Sequence, residues 1–358
     1  MSGPAKKITV LVVDDSAVCR ELLTRVLTSD PGVEVIGSAA NGAEAIAALG
    51  ATTPDVVTMD IHMPGMDGFE TTRQIMESRP LPIVIVTASF NAGDVAKTFR
   101  TLEAGALTVI EKPPGPGDPT HPDLARKLLD TVKAMAGVRV VKRWARARMV
   151  TRTPEPPAVP REAEEIRLVV IGASTGGPPV LQTVLLGLRK PCPVPIIIVQ
   201  HISAGFVEGL ATWLTTTTGM TVQLARHGEI VQAGIAYLAP DGCQMSVGKD
   251  FRIICSLDPA EHGLRPSASF LFRSVARCFG AQAAGVLLTG MGRDGAEDLK
   301  LMRDAGAITF AQDKESSIVH GMPGEAIRLG AAMHVGPPER ISALLDSLVS
   351  PRRSLPIP

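Results

Sequence analysis

The sequence is poor in aromatic residues and has no paired cysteine motif, and both absences narrow the class of protein. Aromatic residues make up only 3% of the 358 residues, whereas hydrophobic residues as a whole reach 45%, so aliphatic side chains and Met must fill the cores. The five cysteines are odd in number and include no CxxC pair. This pattern argues against a disulfide framework and against a thiolate metal site, and it predicts free thiols in a cytoplasmic protein.

The chain also lacks an excess of charge and a long apolar run. Lys and Arg together number 36, as do Asp and Glu, so no net charge attracts nucleic acid or an anionic membrane. The apolar run near the amino terminus is too short for a signal peptide or a transmembrane helix, so we expect no direct membrane insertion. A chain of 358 residues predicts two domains, at roughly 100–200 residues each.

Short apolar strands alternate with amphipathic helical patterns in both halves of the chain. This alternation predicts an α/β protein with two doubly wound, mainly parallel-sheet domains, in which chemical groups collect at the carboxyl ends of the strands. The predicted strands are Ile8–Val13, Glu34–Ala39, Val56–Met59, Ile83–Thr87, Leu107–Ile110, Leu168–Ile171, Ile196–Gln200, Ile235–Leu238, Ala284–Leu288 and Ala307–Ala311. The predicted helices include Ala17–Thr28, Ala43–Leu49, Asp123–Met135, Val180–Leu186, Ser269–Arg277 and Ala296–Ala305.

Proline and arginine dominate the segment between the two halves. Residues 136–165 contain few large apolar side chains, which is typical of a linker between a first domain, 6–135, and a second, 166–348. The basic stretch is the only support for a DNA-binding protein, and it has a single Trp144 without a helix-turn-helix domain. The alternative role for three arginines of this stretch is contact with a receptor or between the domains: Arg143, Arg146 and Arg148.

Five polar residues follow or end strands of the first half and predict a phosphoryl-accepting pocket. Asp14 and Asp15 follow the first strand and Asp60 follows the third, while Thr87 ends the fourth and Lys112 lies after the fifth. Clustered carboxylates repel one another, and an oxygen-only ligand set favours Mg²⁺. One carboxylate would remain free as a nucleophile. The lysine and the hydroxyl would stabilise the added phosphoryl oxygens.

The stretches VVDDS, MDIHMPGMDGFE, TAS and EKP resemble the response-regulator receiver family over residues 6–135. The resemblance implies a flavodoxin-like fold, a histidine kinase as phosphodonor and Asp60 as the phosphoacceptor. Thr87 and Lys112 would then sense the phosphoryl group. The Mg²⁺ ligands that the resemblance implies are Asp15, Asp60 and the backbone carbonyl of His62, with Asp14 assisting.

Two features close to the lysine concern how this pocket would signal. The receiver family usually has an aromatic switch residue three positions before the lysine, where this chain has Val109. The usual aromatic rotamer switch is therefore not expected. A cis peptide between Lys112 and Pro113 is one way to aim the lysine, although cis is the minority state of X–Pro bonds.

A glycine-rich turn in the second half presents a candidate nucleophile. GASTGG follows an apolar strand and precedes a helix with Pro178 and Pro179 in its first turn. The G-x-S-x-G spacing puts Ser174 at the tip of the turn, where the amino end of the helix offers N–H groups to an oxyanion. A phosphate-binding loop is the usual alternative, but the turn fits neither GK[ST] nor G-x-G-x-x-G.

A serine nucleophile needs a base and an orienting carboxylate. His201 directly follows the next strong strand, at the same sheet edge as Ser174, and Asp294 lies in a glycine-rich segment after a later strand. The order Ser–His–Asp differs from that of α/β-hydrolases. The remaining histidines of this half lie in polar contexts and are expected at the surface: His227, His262, His320 and His334.

The second half resembles the catalytic domain of chemotaxis protein-glutamate methylesterases over residues 166–345. The stretches that carry the resemblance are IGASTGGP, VQHI, APDG, RPSASFLF, LLTGMGRDGA, AQD and GMP. It implies a Rossmann-like domain without a cofactor, in which Ser174 is the nucleophile, His201 the base and Asp294 the orienting carboxylate. The amides of Thr175 and Met291 would form the oxyanion hole.

The same resemblance implies substrates and leaves one competing function. Methyl-accepting chemoreceptors would lose the methyl ester of a glutamate side chain, and some glutamines would be deamidated. Arg265, Pro266 and Ser267 would shape the cleft, and the chain departs from the family at Gln244, Asp298 and His320. A phosphorylation-controlled adaptor with an inactive hydrolase fold is the alternative, but it would be signalled by a missing triad residue, and none is missing.

Overall fold

The computed structural model describes residues 6–88, 92–138, 140 and 165–350. The chain divides into two compact units between residues 152 and 153. Most of the predicted linker, including its arginines and Trp144, lies outside the described residues, so the bounds 6–135, 136–165 and 166–348 stay predictions. In the described ranges, no helix is both long and apolar enough to cross a membrane.

The first unit is a five-stranded sheet with five helices. The strand order is β2-β1-β3-β4-β5, and every neighbouring pair is parallel. Its strands are β1 (Ile8–Val13), β2 (Val33–Ala39), β3 (Val56–Met59), β4 (Ile83–Thr87) and β5 (Thr108–Glu111). Its helices are α1 (Ala17–Thr28), α2 (Gly42–Ala51), α3 (Gly68–Ser78), α4 (Ala92–Ala104) and α5 (His121–Met135).

Local sequence explains why these elements begin where they do. Strands β3 and β4 are buried along their whole length, as expected for apolar runs covered on both faces of a parallel sheet. Side chains cap the helices: Asn41 accepts a hydrogen bond from the Glu44 amide at the start of α2, and Asp67 does the same for Glu70 in α3. Glu44 in turn accepts from the Ala40 amide, one residue before the cap, at 2.8 Å.

The second unit is a seven-stranded sheet with a separate two-stranded hairpin. The strand order is β14-β13-β12-β6-β7-β9-β8, all parallel, while β10 and β11 pair antiparallel. Its strands are β6 (Leu168–Ala173), β7 (Ile196–Gln200), β8 (Thr221–Leu224), β9 (Ile235–Leu238), β10 (Gln244–Val247), β11 (Ile253–Ser256), β12 (Ala283–Leu287), β13 (Ile308–Gln312) and β14 (His334–Gly336). Its helices are α6 (Gly177–Gly187), α7 (Val207–Thr218), α8 (Ala268–Cys278), α9 (Ala296–Asp304), α10 (Met322–Arg328) and α11 (Pro338–Val349).

The centre of the second sheet determines where its polar residues meet. Strand β6 lies between β12 and β7, and all three are completely buried. Ser174 follows β6, His201 follows β7, and the segment with Asp294 follows β12. Because the three strands are parallel neighbours, these segments share one edge of the sheet.

The predicted α/β class with two mainly parallel sheets is confirmed. Each predicted strand is present, with ends that differ by at most two residues. The strand prediction was incomplete, because it omitted β8, β10, β11 and β14. Strand β8 is a partly exposed edge strand, and β10 and β11 are a hairpin outside the main sheet, so none of these segments is a continuous buried apolar run.

Candidate active site and phosphorylation site

Three carboxylates meet at the carboxyl edge of the first sheet. One oxygen from each of Asp14, Asp15 and Asp60 lies within 4.8 Å of the others. Asp14 and Asp60 are buried, whereas Asp15 is exposed. Backbone amides hold the two buried groups in place: the Ser16 amide donates to Asp14 Oδ1 at 2.9 Å, and the Ile61 amide donates to Asp60 Oδ1 at 2.8 Å.

Lys112 joins the two buried carboxylates. Its Nζ lies 2.7 Å from Asp14 Oδ2 and 3.2 Å from Asp60 Oδ2. Burial lowers the pKa of Lys112, but the hydrogen bond to Asp14 and the two carboxylate charges outweigh it, so the pKa is raised overall. The Lys112 amide donates to the Thr87 carbonyl at 2.9 Å, which links the lysine to the end of β4. The bond between Lys112 and Pro113 is trans, so a cis peptide does not aim the lysine.

The donor set of this cluster fits a divalent cation. Burial, together with the nearby Asp14 charge, raises the pKa of Asp60 despite the opposing effect of Lys112. Three carboxylates face one ammonium group, so negative charge is in excess, and the available ligand atoms are all oxygens, as Mg²⁺ prefers. His62 is half-buried, and it follows Ile61, whose amide holds Asp60.

The serine of the second unit lies on a tight turn that joins β6 to α6. The Ser174 amide donates to the Thr289 carbonyl at 3.0 Å, and the Ser174 carbonyl accepts from the Gly177 amide at 2.7 Å. Gly176 adopts a positive φ of 75°, which favours glycine. Gly290 packs directly against the serine, because an added Cβ there would lie 2.7 Å from the Ser174 Cβ.

His201 contacts Asp294 at the same sheet edge. The His201 Nε2 lies 3.0 Å from Asp294 Oδ2, with 10% and 1% of the two side chains exposed. The ring N–H is not well aligned with that oxygen, so the contact is an electrostatic one in this form of the protein.

The first turn of α8 holds the Asp294 carboxylate. Ser267 Oγ donates to Oδ1 at 2.7 Å, the Ala268 amide donates to Oδ2 at 2.6 Å, and the Ser269 amide donates to Oδ1 at 3.1 Å. The positive end of the helix dipole faces the same group. Burial alone would raise the pKa of Asp294, but His201 and these donors outweigh it and hold the pKa far below its ordinary value.

Two further buried side chains support this edge, and sequence reasoning gave neither a role. Gln312 accepts a hydrogen bond from the Thr289 amide at 2.8 Å, and Thr289 Oγ1 donates to the Thr175 carbonyl at 3.0 Å. Gln244 accepts from the Ser267 amide at 2.9 Å. Both glutamines are fully buried, which is unusual for a polar side chain. The only signal for them in the sequence is a glutamine at the end of a strand.

The remaining predicted residues lie around the same edge. Met291 directly follows Gly290 and is 37% exposed, while Thr175 is half-buried beside the serine. Arg265 is exposed. Asp298, by contrast, is buried and forms an ion pair with Arg273 at 2.9 Å.

The expectation of surface histidines is only partly right. His227 and His262 are exposed, but His320 and His334 are half-buried. His320 pairs with Gly290 in an isolated parallel bridge, and the His334 ring stacks on Phe310 at 5.1 Å between centroids. Contacts between distant segments bury these two rings, and a local polar context does not reveal such contacts.

Comparison with known proteins identifies the family. A model described as CheB methylesterase matches residues 169–345, and one described as response regulator receiver domain matches residues 10–119. A protein-glutamate methylesterase/protein-glutamine glutaminase of Geobacter metallireducens is 52% identical over 342 residues, which cover 95% of this chain and 99% of the relative. The chain belongs to the CheB methylesterase family.

Other relatives place the similarity along nearly the whole chain. The CheB-family protein of Nitrosospira multiformis, with the same printed name, is 52% identical over 347 residues, covering 96% of this chain and 98% of the relative. The crystal structure of the Thermotoga maritima CheB methylesterase catalytic domain superposes with a TM-score of 0.50 and 34% identity. It covers 52% of this chain and 100% of that domain.

Proposed function

We propose that this CheB-family chain is a phosphorylation-activated protein-glutamate methylesterase that also acts as a protein-glutamine glutaminase. The observation that carries the proposal is the adjacency of Ser174 and His201 at the ends of two neighbouring parallel strands, with Asp294 Oδ2 3.0 Å from the His201 ring. The relatives with that printed name share about half of their residues with this chain over nearly its full length.

In the proposed reaction, Ser174 Oγ attacks the γ-carbonyl carbon of a glutamate methyl ester. His201 takes the serine proton on Nδ1, because its Nε2 faces Asp294. The ionised carboxylate fixes this tautomer and stabilises the imidazolium that forms. The depressed pKa of Asp294 keeps the carboxylate charged at every pH at which the protein is folded and active.

The amides of Thr175 and Met291 then stabilise the oxyanion of the tetrahedral intermediate. His201 returns its proton to the departing methoxide, methanol leaves, and an acyl-serine remains. Water, activated by the same imidazole, hydrolyses the acyl-serine to a glutamate side chain. A glutamine side chain follows the same steps with ammonia as the leaving group, which accounts for the second activity.

The receiver domain supplies the regulation in this proposal. A histidine kinase provides the phosphoryl group, Asp60 accepts it, and Thr87 and Lys112 contact the added oxygens. Asp14, Asp15, Asp60 and the His62 carbonyl would hold Mg²⁺, which neutralises charge when bound. The hydrolase site needs no cofactor. Methyl-accepting chemoreceptors are the substrates, the location is cytoplasmic, and nucleic acid is not a partner.

Methanol release from methylated receptor membranes tests the proposal. The chain should release methanol, and release should rise when a small-molecule phosphodonor and Mg²⁺ are added. Ser174→Ala should abolish release in both conditions, and Asp60→Asn should keep basal release but lose the rise. Methanol release by Ser174→Ala would refute the proposed nucleophile, and full activation of Asp60→Asn would refute the phosphorylation site. Receptor binding without any methanol release by the unmodified chain would favour the adaptor function.

A further inference from the structure

Gln200, the last residue of β7, contacts the backbone of both residues proposed for the chemistry. Its side-chain Nε2 donates to the Ser174 carbonyl at 2.8 Å and to the His201 carbonyl at 2.8 Å. The residue is 5% exposed. A single carboxamide therefore uses its two N–H groups to join two strands at the point where they leave the sheet.

The orientation of this carboxamide is fixed by its surroundings. Both partners are carbonyl oxygens, which only accept hydrogen bonds, so the nitrogen and not the oxygen must face them. The Oε1 atom points towards Gly177 and is buried without a hydrogen-bond partner among the described residues. A Cβ on Gly177 would overlap this oxygen, so the glycine at the start of α6 leaves room for the amide.

The ladder between β6 and β7 reaches the His201 amide but ends before Ser174. The last register pair of β6 and β7 is Ala173 with Gln200, and the final ladder bond runs from the His201 amide to the Ala173 carbonyl at 2.9 Å. Beyond this pair Ser174 enters the turn into α6, whereas His201 enters the segment that leads to α7. The Gln200 side chain spans the gap that opens between the two segments.

Loss of the amide would remove this donor from the His201 carbonyl and leave the Ser174 carbonyl with the Gly177 amide alone, and a polar group that loses its partner away from water is destabilising. Hydrophobic packing at this position would therefore not replace the amide. A shorter amide would reach one carbonyl at most. Gln200 has both the length and the two N–H groups that these two contacts use.

We propose that Gln200 is a positioning residue for acyl transfer, because its carboxamide sets the distance between the Ser174 and His201 backbones and hence between the nucleophile and its base. The inference rests on the proposed function. Misplacing reacting groups by about 1 Å can cost roughly 10²-fold in rate. A positioning role therefore affects the chemical step, whereas substrate affinity depends on other residues of the cleft.

The test compares full-length Gln200→Asn, Gln200→Leu and Gln200→Glu with the unmodified chain. Asparagine keeps the amide but shortens it, leucine removes both donors, and glutamate presents acceptors to two carbonyls. Gln232→Glu is the control, because Gln232 is an exposed glutamine. Methanol release gives kcat and KM, and a serine-directed fluorophosphonate gives the rate of Ser174 labelling without receptor. Circular dichroism and thermal unfolding identify the variants that fold, and only these enter the comparison.

We expect kcat and the labelling rate of the folded Gln200 variants to fall together by roughly 10²-fold, with KM within about threefold of the unmodified chain. The control should match the unmodified chain. The inference is refuted if folded Gln200→Asn keeps kcat and labelling within about threefold, or if only KM changes. If the unmodified chain labels at Ser174 but releases no methanol, the proposed substrate is wrong, and the labelling rates alone decide the role of Gln200.

Discussion

At the scale of single residues, Asp294 combines a proposed catalytic role with a structural one. Its carboxylate contacts His201 and also accepts hydrogen bonds from Ser267, Ala268 and Ser269 in the first turn of α8. The group is 1% exposed, so each of these donors would be unsatisfied if the carboxylate were removed. The same side chain therefore contacts the proposed base and accepts hydrogen bonds from amides at the start of a helix, which would otherwise be unpaired.

Asp294→Asn should separate the two functions. The amide keeps the size of the side chain but cannot accept from every donor, and it no longer compensates an imidazolium. We expect kcat for methanol release to fall by about 10²- to 10⁴-fold, while KM changes little. Steady-state kinetics at saturating receptor measure this effect. A kcat within threefold of the unmodified chain would contradict the assigned role of the carboxylate.

The depressed pKa of Asp294 also predicts how stability depends on pH. An acid whose pKa is lower in the folded state stabilises that state above its unfolded pKa, which is about 3.9 for Asp. This stabilisation is lost as the pH falls through the lower, folded pKa. We expect the difference in unfolding free energy between the unmodified chain and Asp294→Asn to be largest near pH 6 and to shrink towards pH 3. Denaturant titrations at several pH values measure it, and a constant difference would argue against the depressed pKa.

At the scale of elements, helix α8 couples its own start to the proposed active site. Ser267 is the N-cap residue, and its Oγ accepts from the Phe270 amide at 3.4 Å while it donates to Asp294. Its amide in turn donates to Gln244 at the start of β10. The hairpin, the helix and the carboxylate are therefore one hydrogen-bonded group, although they are far apart in sequence.

Ser267→Ala should reduce stability and activity together. Loss of an N-cap typically costs about 1 kcal/mol, and the bond to Asp294 is lost as well. We expect a destabilisation of about 1–3 kcal/mol and a kcat lowered by roughly fivefold, which corresponds to about 1 kcal/mol. Asn41→Ala is the matched control, since it removes the cap of α2 in the other unit. If both variants lose stability equally and neither loses kcat, the link between α8 and the active site is wrong.

The sequence predicted the central elements well and the supporting contacts poorly. A strand such as Ile196–Gln200 can be recognised from the run of apolar residues in its own sequence. The polar residues that follow such runs then indicate the edge of the sheet. Helix α7 is not among the predicted helices named above, and its sequence, VEGLATWLTTTT, ends in four threonines, which have low helix propensity. The bond from Ser267 to Asp294 spans 27 residues, and no local pattern reveals such a contact.

At the scale of the whole molecule, the chain divides into two compact units, and the acidic cluster lies in the first of them. The pKa of Asp60 is raised by burial, so its ionised form opposes folding of the receiver at neutral pH. A bound divalent cation would offset this cost and stabilise the folded state by mass action. Among residues 165–350 of the other unit, no such group of metal-binding side chains is found.

Calorimetry with and without Mg²⁺ should therefore show one shifted transition. Without the ion, Asp60→Asn should unfold at a higher temperature than the unmodified chain, by about 4 °C per kcal/mol gained in a domain of this size. Mg²⁺ should raise the receiver transition of the unmodified chain and have a smaller effect on Asp60→Asn. The transition of the CheB methylesterase unit should not move. Equal shifts of both transitions would contradict independent units.

The double function of Asp294 has a consequence for duplicated genes. A copy that no longer needs to hydrolyse esters can exchange Ser174 or His201 at little cost in abundance, because neither side chain closes a helix start. Loss of Asp294 would expose the copy to misfolding and proteolysis. Inactive descendants of such a chain should therefore keep the aspartate after the serine and the histidine have been substituted. The presence of the aspartate alone is then poor evidence of activity.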